Sequence, residues 1–287
     1  MDDRTRDAVE AWADSPIADA TELDGGEVGS VHRVDLADGR RVVVKTAGTD
    51  LRTEARMLGH LAERGLSVPE VLHAAEDLLV IEFVPGDSTI TPSVERDLAD
   101  RLADLHTETA PTFGFPFDTL TGKLDLPNPR EADSPTFFGE HRLRYMADRA
   151  VEEGLLPAAD AERIDALRAD LPALLDHDPE PSLTHGDVWQ ENLITDGEAV
   201  RSFLDPACYY ADPEVELAYV DWTETGGEAF FERYREQAGQ GADGDGLPDG
   251  VDDRRPIYRL LPLLVHLRHF GEEYLEPIRK TLDELGY

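Results

Sequence analysis

The stretch THGDVWQENL, residues 184–193, places Asp187 five positions before Asn192, and Asp205 follows thirteen residues later behind the apolar Phe203 and Leu204. Asp and Asn are poor residues for strands and for helix interiors. Here they lie between apolar ends, Leu183 on one side and Leu193 and Ile194 on the other, so they define a polar turn. An ordinary turn explains any one of them. Two carboxylates and an amide in this order also suit phosphoryl transfer. That reaction needs hard oxygen ligands for Mg2+, which takes carboxylates, amides and phosphates. It needs one further carboxylate facing the attacking hydroxyl.

A second pair lies upstream. Lys45 ends the apolar run VVV, as at the end of a strand, and is one of only three lysines, with Lys123 and Lys280. Glu54 falls nine residues later in LRTEARMLGHLAERG, which reads as an amphipathic helix ending at Gly65. At about 100° per residue its direction lies between Leu58 and Leu61, inside the stripe with Leu51, Ala55 and Ala62. A carboxylate on a buried face is costly unless paired, and Lys45 is the nearest partner in chain order. The pair reads either as a structural ion pair at the rim of the core or as an ammonium presented to a polyphosphate. The scarcity of lysine favours the second.

Gly25, Gly26 and Gly29 lie between two predicted strands, where backbone N–H groups could cover phosphates. Their spacing does not match G-x-G-x-x-G, and a plain tight turn explains them as well. Taken in order, Lys45, Glu54, Asp187, Asn192 and Asp205 match the arrangement of protein kinases: a Lys–Glu pair, a catalytic Asp, then Asn and Asp on magnesium. His185 reads as a brace for the loop, with no second His or Cys at ligand spacing. His266 and His269, three apart on a late predicted helix, read as structural or surface residues.

The elements that must hold these residues follow from periodicity. Residues 2–14 read as a short helix, and Asp38-Gly39 marks a hairpin between two strands. VPEVLHAAEDLLVIEFVPG gives two more strands. From Thr91 the pattern turns helical over 93–106, 137–153, 160–175, 228–237, 257–274 and 277–285, interrupted by short apolar pieces at 192–195 and 202–204. The predicted fold class is α+β with two lobes. A small antiparallel sheet with one inserted helix occupies 1–84, a hinge 85–91, and a larger helical lobe 92–287. GADGDGLPDGVDD, residues 241–253, alternates Asp and Gly as cation loops do. It lacks the last-position Glu of the EF-hand, and a solvated loop is the simpler reading.

Composition sets the setting. Sixty-two acidic residues against 27 basic ones give −35. Such a surface repels itself at low salt and is relieved where molar salt shortens the Debye length to about 3 Å. This predicts a salt-rich cytoplasm, and it argues against nucleic acid or anionic membranes as partners. The apolar runs are too short to span a bilayer, and the acidic start shows no export segment. The single cysteine, Cys208, excludes an internal disulfide and reads as a packed small residue.

THGDVWQENL followed by FLDPACYYADPEVELAYVD resembles the fructosamine kinase (ketosamine-3-kinase) family, within the larger group of aminoglycoside and choline kinase-like folds. LDGGEVGSVHRV, VVVKT, TEARML, IEFVPG, FFGEHRL and RRPIYRLLPLLVHLRHFG stand in the familiar order, so the resemblance covers nearly the whole chain. It implies ATP and Mg2+ as cofactors and Asp187 as the catalytic base. It implies Asn192 and Asp205 on the metal, and Lys45, paired with Glu54, on the α- and β-phosphates. By the same resemblance Gly25 and Gly26 begin the loop over the nucleotide, and Glu82, Phe83 and Val84 meet adenine. Trp189 should lie near the sugar. There are departures. Gln190-Glu191 stands where the family usually has Ser-Gly, and Glu216 where Asp is usual. The nucleotide loop has no cysteine, so a redox switch is not implied. The implied reaction is phosphorylation of the 3-hydroxyl of a fructosyl- or ribulosyl-amine, free or on protein, after which the adduct breaks down and the amine is regenerated. The alternatives are a kinase for another small alcohol, such as an amino sugar or choline, and a nucleotide-binding scaffold without catalysis. Nothing in the helices marks a dimer face.

Overall fold

Alternation in VHRVDL and RVVVK puts Val34, Leu36, Val42 and Val44 on one buried face of a sheet. In the computed structural model, residues 1–23, 29–238 and 250–287 are described. The first strands are β1 (Ile17–Leu23), β2 (Gly29–Leu36), β3 (Arg41–Ala47), β4 (Val71–Ala74) and β5 (Leu79–Glu82). They form one five-stranded sheet in the order β1-β2-β3-β5-β4. Every neighbouring pair is antiparallel. Gly39, at φ 91°, closes the predicted β2–β3 hairpin. Lys45 sits on the central strand, opposite Val31 and Leu79.

A helix covers each face. α1 (Asp3–Ala13), capped by Asp2, packs Val9 and Ala13 on the Val34–Val44 face. α2 (Leu51–Ala62), capped by Asp50, sets Leu51 and Leu58 against Leu79 and Ile81 of β5. The adjoining flank of the same stripe, Met57 and Leu61, belongs to the core of the helical lobe. One helix is therefore gripped by both cores, which fixes where Glu54 stands.

The crossing between lobes is also held. Asp87 and Thr195 exchange two backbone hydrogen bonds of 2.9 and 2.6 Å. Thr195 Oγ1 donates to Asp87 Oδ1 at 3.1 Å and to the Thr89 carbonyl at 3.0 Å. A Cβ on Gly86 would lie 2.4 Å from the Thr195 carbonyl oxygen, so only glycine allows this approach.

The helical lobe opens with α3 (Pro92–His106), capped by Thr91 with Pro92 in the first turn, and the hairpin β6 (Thr119–Thr121) and β7 (Leu124–Leu126). α4 (Ser134–Phe138) runs through a π-helical turn, Gly139–Arg144, into α5 (Tyr145–Glu152), and α6 (Ala158–Leu174) follows. Short strands then alternate with the loops that matter: β8 (Ser182–Thr184), β9 (Leu193–Thr195), β10 (Val200–Phe203) and β11 (Tyr209–Ala211). β8 pairs with β11 and β9 with β10, both antiparallel. α7 (Pro213–Trp222), α8 (Glu228–Ala238), α9 (Val251–Phe270) and α10 (Leu275–Leu285) complete the lobe.

The predicted elements differ from these in several places, among them the unpredicted short strands β8 and β11. Residues 213–222 form a helix where none is predicted, and the β6–β7 hairpin is likewise unpredicted. The late helix begins at Val251 rather than 257 and carries Pro256 and Pro262 within it, and it stops at Phe270 because Gly271 leaves the helix at φ 99°. Most of the Asp/Gly segment 241–253 lies outside the described residues, as do Gly25 and Gly26. Among the described residues no helix is long and apolar enough to cross a membrane.

Candidate active site

Register and helix phase bring Lys45 to Glu54. Lys45 Nζ donates to Glu54 Oε1 at 2.8 Å and also contacts Asp205 Oδ1. The Lys45 and Glu54 side chains are 12% and 16% exposed, whereas Asp205, at 44%, opens to the cleft. Burial alone would drive the ammonium to lose its proton. The carboxylates of Asp205 and Glu54 outweigh it, so the Lys45 pKa is raised and the group stays charged. Burial also works against the Asp205 carboxylate, but Lys45 more than offsets it and holds that pKa below the usual range.

Asp205 pays a conformational cost to be there. It has φ 52° and precedes Pro206, and neither a left-handed φ nor a helical region is favoured for such a residue. Backbone strain of this kind persists where neighbours over-determine it. The neighbours are clear. The Leu204 amide donates to the Asn192 carbonyl at 2.8 Å, and the Ala207 amide donates to the His185 carbonyl at 2.9 Å.

The two chain segments run so close that Gly186, at φ 86°, would place a Cβ 2.2 Å from the Ala207 carbonyl oxygen. Gly186→Ala is therefore expected to cost about 1–3 kcal/mol of stability and to reduce turnover. Chemical denaturation alongside an ADP-release assay checks this, and an unchanged midpoint with full turnover would show that the two segments can part.

Asp187 is held at both oxygens. Asn192 Nδ2 donates to Asp187 Oδ2 and to its backbone carbonyl, each at 2.9 Å. Tyr219 donates its hydroxyl to Asp187 Oδ1 at 2.6 Å. Because the Asn192 amide nitrogen is committed to Asp187, its amide oxygen is the atom left to face a cation. His185 is buried beside Phe203, with ring centroids 5.6 Å apart, and its Nδ1 accepts the Asp187 amide at 3.3 Å. Burial pushes its pKa down, so a neutral imidazole braces the loop.

Beneath the loop lies Glu216. Its carboxylate accepts the Gly186 amide at 2.6 Å, the His185 amide at 3.3 Å and His106 Nε2 at 2.9 Å. His106 Nδ1 in turn meets the Tyr234 hydroxyl at 2.6 Å. A buried anion thus satisfies two loop amides at once. Beside it, His177, Asp212 and Glu214 stand within metal-ligand reach of one another. Arg254 donates to both Glu214 oxygens at 2.8 and 2.6 Å, and Tyr258 donates to Asp212 at 2.5 Å, so both carboxylates are already hydrogen-bonded and the cluster carries its own cation, while the buried His177 Nδ1 has no partner among the described residues.

One cavity of about 460 Å³ connects Lys45, Glu54 and Asp205 with Asp187, Asn192 and Glu216. Its wall runs from Ser30, Val31, Lys45 and Met57, past Asp187, Asn192 and Asp205, to Trp189, Tyr219, Trp222, His266 and Phe270. Trp189 thus lies in the wall, next to Asp187 in the chain. Gln190 and Glu191 are exposed and outside it. Glu82, Phe83 and Val84 lie at the end of β5, with the Arg41 guanidinium 5.4 Å from the Phe83 ring centre, and the cavity wall does not include them. His266 and His269, read from sequence as structural or surface residues, both line the cavity. Tyr219, Trp222 and the anchoring role of Glu216 were not predicted. The only sequence sign of them is Asp212-Pro213, a helix cap followed by a first-turn proline.

Comparison with known proteins gives the family and the fold. The fructosamine kinase family profile matches residues 1–286. Relatives from Klebsiella aerogenes and Escherichia coli K12, each named a probable ketoamine kinase, are 30% identical over 92% of this chain and 91% of their own. A Thermobifida fusca structure assigned to fructosamine-3-kinase superposes with a TM-score of 0.84 at 26% identity, covering 99% of this chain and 98% of that one. An ADP-bound aminoglycoside phosphotransferase, at 13% identity and a TM-score of 0.67 over 98% of this chain and 97% of its own, shares the fold alone. The chain has a protein-kinase-like architecture, and it belongs to the fructosamine kinase family.

Proposed function

We propose that this protein transfers the γ-phosphoryl group of ATP to the 3-hydroxyl of a ketosamine, a fructosyl- or ribulosyl-amine. The observation that carries the reading is the placement of Lys45, Glu54 and Asp205 against Asp187 and Asn192 along one cavity. Lys45, kept charged by Glu54 and Asp205, receives the α- and β-phosphates and gives up its Asp205 contact as they arrive. Gly25 and Gly26 begin the covering loop, and Glu82, Phe83 and Val84 meet adenine. Asp205 and Asn192 offer a carboxylate and an amide oxygen, the hard donors that Mg2+ takes. When bound there, the ion neutralises phosphate charge. Asp187 accepts the proton of the acceptor hydroxyl as the oxygen–phosphorus bond forms and the bond to ADP breaks. Trp189 offers a flat face to the sugar. The phosphorylated adduct then breaks down and the amine is regenerated. The same reading takes residues 1–84 as the nucleotide lobe, 85–91 as its linker and 92–287 as the acceptor lobe.

The test is ADP release with Mg-ATP and fructosyl-lysine, ribulosyl-lysine, choline or an aminoglycoside as acceptor, with phosphate position read by NMR. A 3-phosphorylated ketosamine supports the reading. Turnover of choline or the aminoglycoside alone overturns it in favour of another small-alcohol kinase.

The charge of −35 supports a salt-rich cytoplasm and disfavours nucleic acid and anionic membranes. Raising KCl from 0.01 M to 1 M shortens the Debye length from about 30 Å to about 3 Å. The melting temperature is expected to climb over that range, and a fold kept in dilute buffer but lost in molar salt rules the setting out.

A further inference from the structure

Beyond Asp187 the cavity wall is a ladder of rings. Tyr219, whose hydroxyl touches Asp187, lies 6.0 Å from Trp222 between centroids. Trp222 meets His266 edge to face at 4.7 Å, and His266 meets Phe270 at 5.2 Å. The spacing explains the ladder. Tyr219 and Trp222 are three apart on α7, His266 and Phe270 four apart on α9, and each pair shares a helix face. Phe270, at 43% exposure, ends the ladder at the mouth. It is one of three large apolar side chains left exposed among the described residues. Phe270 also packs against His269 and Tyr274, and its remaining exposed face stands at the cavity mouth.

The charges of the wall are as informative. Its carboxylates are Glu54, Asp187, Asp205 and Glu216. Glu54 and Asp205 bind Lys45, Asp187 binds Asn192 and Tyr219, and Glu216 binds loop amides and His106. None stands on the ladder. His266 donates from Nδ1 to the Pro262 carbonyl at 2.8 Å, and burial holds its pKa down, so the imidazole there is neutral. Among the described residues a second charge on a ligand lying here would find no charged partner on the ladder itself, the nearest charged groups being Lys123, Arg268 and Glu153 beside His269, whereas a flat apolar group would gain ring contacts on several sides.

The direction of the substrate follows from chemistry. The phosphoryl donor takes the Lys45 end, and the 3-hydroxyl must reach Asp187. C1 of the sugar and its nitrogen lie only a few bonds from that hydroxyl, so whatever the nitrogen carries begins where the ladder begins. We propose that the Tyr219–Trp222–His266–Phe270 ladder is the site for the substituent on the ketosamine nitrogen, and that it selects a flat, uncharged substituent over one bearing further charges. This rests on the ketosamine reading above.

The test uses the whole chain in molar KCl with Mg-ATP and three fructosyl-amines, those of methylamine, benzylamine and the ε-amine of free lysine. The benzylamine adduct should exceed the lysine adduct by about tenfold in kcat/KM, chiefly through KM. Phe270→Ala, at an exposed position that puts folding at little risk, should lower kcat/KM for the benzylamine adduct several-fold more than for the methylamine adduct. Phe270→Tyr should restore the difference. Equal turnover of the benzylamine and lysine adducts, or an equal loss for the benzylamine and methylamine adducts in Phe270→Ala, overturns the inference and leaves the ketosamine reading intact. No turnover of any ketosamine by the folded protein overturns the ketosamine reading itself, and this one with it.

Discussion

Asp187→Asn lowers kcat by about 10²–10⁴-fold, the range removed with a general base. The substitution keeps the shape of the side chain and removes its ability to take a proton. Tyr219 still has an oxygen to bond, while the amide placed opposite Asn192 Nδ2 sets donor against donor unless one group turns over. A small loss of stability is therefore expected beside the large loss of rate. Nucleotide affinity should hold, because Lys45 and Glu54 are untouched. Calorimetric titration with Mg-ATP separates the two effects. A variant that binds ATP normally and turns over within tenfold of the parent removes Asp187 from the role of base, and a protein acting only as a nucleotide-binding scaffold would not register the change.

Glu216→Leu should be strongly destabilising, by about 3–5 kcal/mol, because it strips a buried network of its anion. Three donors, the amides of His185 and Gly186 and the ring of His106, would be left in the core without an acceptor. The loop that carries Asp187 hangs on two of them, so kcat should fall even at temperatures where the variant stays folded. The pH dependence has a definite sign. Burial raises the Glu216 pKa, but the His106 hydrogen bond and charge outweigh it, so the folded value lies below the ordinary 4.5. Its contribution is complete at neutral pH and is lost as pH falls through that depressed value. Acid titration of stability should therefore be shallower below pH 4.5 in Glu216→Leu than in the parent. Equal acid profiles would show that the carboxylate is not held as an anion.

What could be read from sequence depended on distance along the chain and on how each element is buried. Lys45 and Glu54 are nine residues apart, and one strand and one helix phase suffice to pair them. The Asp205 contact that completes the pair spans 160 residues and shows only in the fold. Asp187 and Asn192 were legible because their spacing is local and their residue types suit one chemistry. Glu216 was not, since its partner His106 lies 110 residues away. α7 escaped prediction because Glu214, Val215, Glu216, Leu217, Ala218 and Val220 are all buried, and a helix enclosed on every side shows no apolar stripe. The β6–β7 hairpin was overlooked for its brevity, although Gly122, at φ 56°, is the turn glycine that such a connection asks for. That His266 and His269, each bonded to a backbone carbonyl, also line the cavity is not legible in the sequence for another reason. One face of α9 serves the core and another the cavity, and helical spacing does not say which is which.

The pairing of Lys45 bears on the chemistry of sugars as well as of phosphates. A reducing sugar condenses only with a neutral, reachable amine. Lys45 is neither, being buried and kept protonated between two carboxylates. Lys123 is exposed and Lys280 is 80% exposed. Incubation with ribose should accordingly mark Lys280 and Lys123 well before Lys45, as peptide mass mapping would show. If the proposed reaction holds, a protein that handles sugar-damaged amines keeps its own working amine out of reach of that damage, and leaves only two lysines in the whole chain to bear it.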